Sequence, residues 1–156
     1  MEMFYFWYFL VDDLLEGHAK SFKIKISRGV ILSMEAQNFA DTWVDAVNKK
    51  SVPKILALYD TNATLLPTFS AVPAKGHTAI ETYFMRLLTH DSVGVDLQSD
   101  SLGIDLISDN ISATYGTYTF SYYEKGSQKV FPARFTFLLN MQKSSPILHH
   151  HSSLIP

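Results

Sequence analysis

From Ile111 to Leu139 the chain reads ISATYGTYTFSYYEKGSQKVFPARFTFLL. Ala113, Tyr115, Thr117, Thr119 and Ser121 alternate with Thr114, Gly116, Tyr118, Phe120 and Tyr122. Beyond Lys125–Gly126–Ser127, Phe135, Phe137 and Leu139 alternate with Arg134, Thr136 and Leu138. A period of two in Thr, Tyr and Phe, broken by a loop containing glycine, predicts a long β-hairpin. Upstream the period changes. Phe39, Ala40, Trp43, Ala46 and Val47 predict an amphipathic helix over Gln37–Lys49. Ser51 as cap and Pro53 in the first turn predict a short second helix. Asp60–Asn62 reads as a turn and Ala63–Leu66 as a short strand that Pro67 stops. Ser70–Gly76 reads as a loop. Thr78 and Glu81 form a capping box before Ile80, Tyr83, Phe84, Leu87 and Leu88, the apolar face of a third helix. Val95–Leu97, Leu102–Ile107 and Ile147–Ser152 are further strands. Helices come first and antiparallel strands follow, so the class is α+β with segregated elements.

The first residues follow neither pattern. Met3–Val11 is an unbroken apolar run, mostly aromatic, closed by Asp12 and Asp13. It falls short of the ~20 residues that a membrane-spanning helix needs. It has neither the basic start nor the small-residue cleavage site of a secretory signal. Residues 1–33 therefore read as an extension that packs on the domain or on a partner. Within it, Phe22–Ile26 alternates like a strand and Ser27–Ser33 like a connector. One domain covers 34–156. The expectation is a cytoplasmic protein without a membrane span.

Composition narrows the partners. With 156 residues, a formal charge of −2 and a pI near 6.3, nothing draws the chain to nucleic acid. The absence of cysteine removes disulfides and thiolate chemistry. Arg134 interrupts an apolar and hydroxyl-rich strand; facing inward, its guanidinium would require an anion or several acceptors. His149, His150 and His151 share one strand, so alternation divides them between two faces and makes a poor metal site. Tyr83, Phe84 and Tyr118 are candidates for a pocket wall or for plain core. Asp60, Asp105 and Glu81 occupy turn or surface positions, leaving no clear buried carboxylate base. Neither a metal nor a cofactor is expected.

A family resemblance enters through spaced residues. They are Trp43; Ala57-Leu58-Tyr59-Asp60 with Ala63-Thr64-Leu65-Leu66-Pro67; Gly76 with Ala79-Ile80 and Tyr83-Phe84; Gly116, Tyr118 and Phe120; Ala133-Arg134-Phe135-Thr136-Phe137; and His150-His151-Ser152-Ser153 with Pro156. Together these resemble the NTF2-like (cystatin-like) superfamily. Within it they are most similar to bacterial proteins related to the calcium/calmodulin-dependent protein kinase II association domain, which shade into the SnoaL-like group. The resemblance implies a cone: three helices packed in a strongly bent antiparallel sheet around an internal pocket. It also implies homodimers or larger assemblies formed through the sheet. Kinase activity is not implied, since the chain has no phosphate loop or catalytic-loop motif. Of the cationic residues of the association-domain pocket, only Arg134 persists; the others fall at Gly116, Ser152 and about Ile80. The residues expected to bind a small anionic or apolar ligand are Arg134, Tyr118, His150, Ser152 and Tyr83. The function expected is a non-catalytic oligomerisation and ligand-binding domain. Two alternatives remain: a SnoaL-like isomerase, cyclase or hydratase, and an accessory protein docking through its aromatic N-terminal segment.

Overall fold

The computed structural model describes residues 28–156. The readings made for Met3–Val11 and Phe22–Ile26 lie outside the described residues. Helix α1 spans Arg28–Asn48, so the segment read as a connector is already helical from Arg28. Periodicity placed its start at Gln37, nine residues too late. Helix α2 covers Val52–Ala57. Ser51 caps it by position alone: its carbonyl accepts from the Ile55 amide at 2.9 Å, and its hydroxyl makes no capping bond.

Strand β1 runs Tyr59–Leu66, four residues earlier than expected. Asp60–Asn62 does bend the chain, with the Asn62 amide donating to Asp60 Oδ1 at 2.9 Å. The bend is absorbed as a register shift within the strand between Tyr59 and Thr64. A short β2, Ala74–Lys75, leads into α3, Gly76–Leu87. The expected capping box does not form. Lys75 is the N-cap, which puts Thr78 inside the first turn, where its carbonyl accepts from the Thr82 hydroxyl at 2.8 Å. Gly76 makes the sharp passage from strand to helix at φ +73°, a conformation costly for any side chain with a Cβ.

The remaining strands are β3 (Asp91–Leu97), β4 (Gly103–Leu106), β5 (Ile111–Glu124), β6 (Ser127–Asn140) and β7 (Ile147–Leu154). The β5–β6 turn places Lys125 at φ 51° and Gly126 at φ 77°, the left-handed pair of a two-residue hairpin. The strands form one bent sheet in the order β2-β1-β7-β6-β5-β3, with β4 also paired to β5. β1 runs parallel to β7, a departure from the fully antiparallel sheet expected.

Alternation decides what the sheet buries. Tyr118, Phe120, Ala133, Phe135, Phe137 and Leu139 face the helices and are almost fully buried. Trp43 of α1 sits at the centre, stacked on Tyr118 at 5.7 Å and edge-on to Phe84 at 6.2 Å. Removing a fully buried ring leaves a cavity as well as losing its transfer energy. Phe137→Ala should therefore destabilise the domain by about 3–5 kcal/mol in urea titrations. Met85→Ala, at a residue 58% exposed, should change it by no more than ~0.5 kcal/mol.

Candidate functional site

The polar groups around Trp43 and His150 form one chain of hydrogen bonds; Ser112 and Thr114, also buried, lie outside it. Trp43 Nε1–H can only donate, and it donates to the Tyr59 hydroxyl at 3.0 Å. That hydroxyl must then turn its own proton to His150 Nδ1, 2.7 Å away. With Nδ1 accepting, the ring proton sits on Nε2, 3.4 Å from the Tyr118 hydroxyl. Tyr118 donates to Ser152 Oγ at 2.5 Å, and Ser152 bonds to Thr68. Counting donors thus gives a single direction from α1 to the segment after β1.

The electrostatics of this chain are those of a dry interior. Burial pushes the His150 imidazole well below its ordinary value, with His149 and His151 adding repulsion. Burial likewise pushes the Tyr59 and Tyr118 phenols up. The hollow between Trp43, Tyr83, Tyr118, His150 and Ser152 measures about 10 Å³, room for one water at most.

Beyond it the cone opens into a groove of about 590 Å³ between α3 and the segment 67–75. Phe69 lines the groove, edge-on to Phe120 at 5.3 Å and to Phe131 at 5.1 Å. Tyr83 lines both, its phenol hydrogen-bonded to the Phe69 backbone. Lys75, Arg86 and His90 also line the groove, and among the described residues no carboxylate does.

Arg134 is elsewhere. It alternates with Ala133 and Phe135, which point inward, so its guanidinium lies exposed on the outer face. There its Nε donates to Ser153 Oγ at 3.1 Å, in a shallow depression of about 490 Å³ shared with Tyr115, Thr136 and His151. The expected internal pocket around Arg134 is corrected accordingly. Tyr118, His150 and Ser152 do meet, Tyr83 stands at the edge, and the arginine faces the opposite way.

A family model settles what the chain resembles: that of the calcium/calmodulin-dependent protein kinase II association domain matches residues 33–156. The chain belongs to this association-domain family. A Xanthomonas campestris protein named for the same domain superposes with a TM-score of 0.70 at 30% identity, covering 78% of this chain and 86% of that one. A Novosphingobium aromaticivorans protein named for scytalone dehydratase gives 0.72 at 8% identity, over 83% and 87% of the two chains. A ketosteroid isomerase-like protein from Erwinia carotovora atroseptica gives 0.65 at 14% identity, over 84% and 99%. The last two likenesses show a shared fold, which is NTF2-like and cystatin-like. Among curated proteins, none matches the sequence. No helix among the described residues of this association domain is long and apolar enough to cross a membrane.

Reading the sequence missed Tyr59 and Thr68 as members of the internal chain and Lys75 and Arg86 as a cationic lining. One signal was available for the lining: Thr78, Thr82 and Arg86 recur every four residues down one side of α3, beside Tyr83.

Two outcomes follow from the internal chain. The unfolded association domain takes up a proton on His150 near pH 6.5 that the folded one refuses. Stability from the neutral ring is present above that pH and falls below it, by up to about 1.4 kcal/mol per pH unit for one proton. Urea midpoints should drop between pH 7.5 and 5, and His150→Gln should flatten the slope. Long-range proton–nitrogen NMR should find His150 as the Nε2–H tautomer across that range. A ring protonated on both nitrogens at pH 5.5 would contradict this geometry.

Proposed function

We propose that this association-domain protein is a non-catalytic module that joins copies of itself and takes a small ligand at the mouth of its cone. The observation that carries the non-catalytic part is the filled interior. The hydroxyls and imidazole that would do chemistry are bonded to one another, hold no carboxylate base, and leave about 10 Å³ of free space. General acid–base catalysis needs a group that exchanges protons near the working pH and touches substrate. Burial moves His150, Tyr59 and Tyr118 in the direction that keeps each one neutral.

Support for self-association comes from the outer face of β5, β6 and β7. Tyr115, Thr117, Thr136, His149 and Ser153 form a strip of hydroxyl, aromatic and imidazole groups beside Arg134, on the side away from the helices. Few of them carry a formal charge, so a second copy of the strip could be covered at little desolvation cost. Family membership points the same way.

One observation favours a second reading, a small enzyme of the dehydratase or isomerase kind: an imidazole held between two phenols at the heart of the cone. That reading requires the hollow beside His150 to widen before any substrate reaches the imidazole.

Sedimentation equilibrium at micromolar concentration tests the first reading, with a dimer or larger species expected. Thr136→Arg, which sets a second guanidinium beside Arg134 on the outer face, should weaken the assembly by at least about tenfold, ~1.4 kcal/mol. A wild-type chain that sediments as a monomer overturns the association half.

A further inference from the structure

We propose that the outer edge of β3 is a surface on which the β3 of a second copy can pair, and that the Asn48 carboxamide holds it shut. This surface is separate from the outer face of β5, β6 and β7.

The last strand at each end of a sheet carries backbone groups with no neighbouring strand to meet them. One end of this sheet is β2, whose two residues offer little to pair with. At the other end lies β3, Asp91–Leu97, with β4 following it along β5 for four residues. Of these edges β3 is the longest. It holds neither proline nor lysine, and Val93 and Val95 within it are buried apolar residues.

Alternation sets which backbone groups point outward. In an antiparallel ladder every second residue turns its N–H and C=O away from the partner strand. Val95, opposite Phe120 of β5, is such a residue: both of its groups bond to Asn48, the last residue of α1. The Val95 amide donates to Asn48 Oδ1 at 2.7 Å, and Asn48 Nδ2 donates to the Val95 carbonyl at 2.9 Å. A carboxamide carries the same donor and acceptor as a peptide group. Asn48 therefore stands where the next strand would stand. The end of α1 holds it there. Lys50 sits at φ 51°, its amide donates to the Val47 carbonyl at 2.8 Å, and the Ser51 amide donates to the Ala46 carbonyl at 3.2 Å. These are the two bonds of a Schellman turn.

The same pair of bonds identifies the occupant. Two β3 strands laid antiparallel about Val95 exchange the Val95 N–H and C=O reciprocally, which replaces both Asn48 bonds in kind. That register sets Gly94 against Asp96 and Val93 against Leu97. No carboxylate then stands directly opposite another, so charge does not oppose the pairing.

The test uses the full chain carrying Thr136→Arg, which weakens contact through the outer face. Amide hydrogen exchange is followed by NMR, and mass by sedimentation equilibrium. With Asn48 in place, the Val95 amide should exchange slowly, at a rate independent of protein concentration. Asn48→Ala should speed that exchange about tenfold or more at micromolar concentration. At millimolar concentration the protection should return, together with a species of twice the mass. Asn48→Asp keeps the acceptor for the Val95 amide and adds a charge at the edge, so it should stay unpaired. Where alanine leaves too little folded protein, Asn48→Ser, whose hydroxyl is too short to span both groups, should give the alanine result. Fast exchange of the Val95 amide with Asn48 in place overturns the closure. A folded Asn48→Ala or Asn48→Ser chain whose mass stays constant up to millimolar concentration overturns the pairing surface.

Discussion

The structure depends on a parity. β5 and β6 pair from Ile111↔Asn140 to Glu124↔Ser127 without a bulge, so the side that each residue takes is fixed along the whole hairpin. A slip of one residue would turn Tyr118, Phe135 and Phe137 to solvent and bring Thr117, Arg134 and Thr136 inside. The burial of Tyr118, Phe120 and Phe137 against Trp43, with Phe135 stacked on Tyr118, holds the register against that exchange. β7 then adjusts to it. The shift between Leu138 and Leu139 adds one residue to its side of the ladder, so Ile147 and His150 both reach the core despite their odd spacing.

Parity also explains how the polar chain through His150 and Ser152 comes to lie inside. Facing inward on β7, His150 and Ser152 find a phenol on each side, Tyr59 from β1 and Tyr118 from β5. Each polar atom is satisfied by a neighbour, and buried polar groups are tolerable only when this is so. The same bonds that make the network stable leave it nothing to offer a ligand. The free polar groups lie at the mouth instead, where Arg86 and Lys75 are exposed.

Much of the fold was legible in the sequence, because Phe, Tyr and Thr at every second position and apolar residues at helical spacing are local signals. The two long arms and the three helices follow from them, whereas the inward placement of His150 and Ser152 came only from the resemblance. Other features depended on what lies far away in the chain. The β1–β7 pairing is parallel because β7 inserts beside β1, and no local pattern in Ala63–Leu66 announces its neighbour. Arg134 was misplaced for a related reason. Its family counterpart suggested an inward cation, although Phe135 and Phe137, one and three residues on, already claimed the inner face. Alternation held the answer, and it outranked the resemblance. The groove was invisible because its walls come from three separate segments.

The order of strands places β7 between β1 and β6, in the middle of the sheet. Residues 59–75 and 91–140 therefore have no sheet contact with each other until 147–154 arrives to join them. The sheet closes only when that stretch is in place, and until then the facing edges of β1 and β6 are open. Such edges invite pairing with other chains. Folding of this chain thus carries a risk of mispairing between copies, one that ends only as 147–154 docks between β1 and β6.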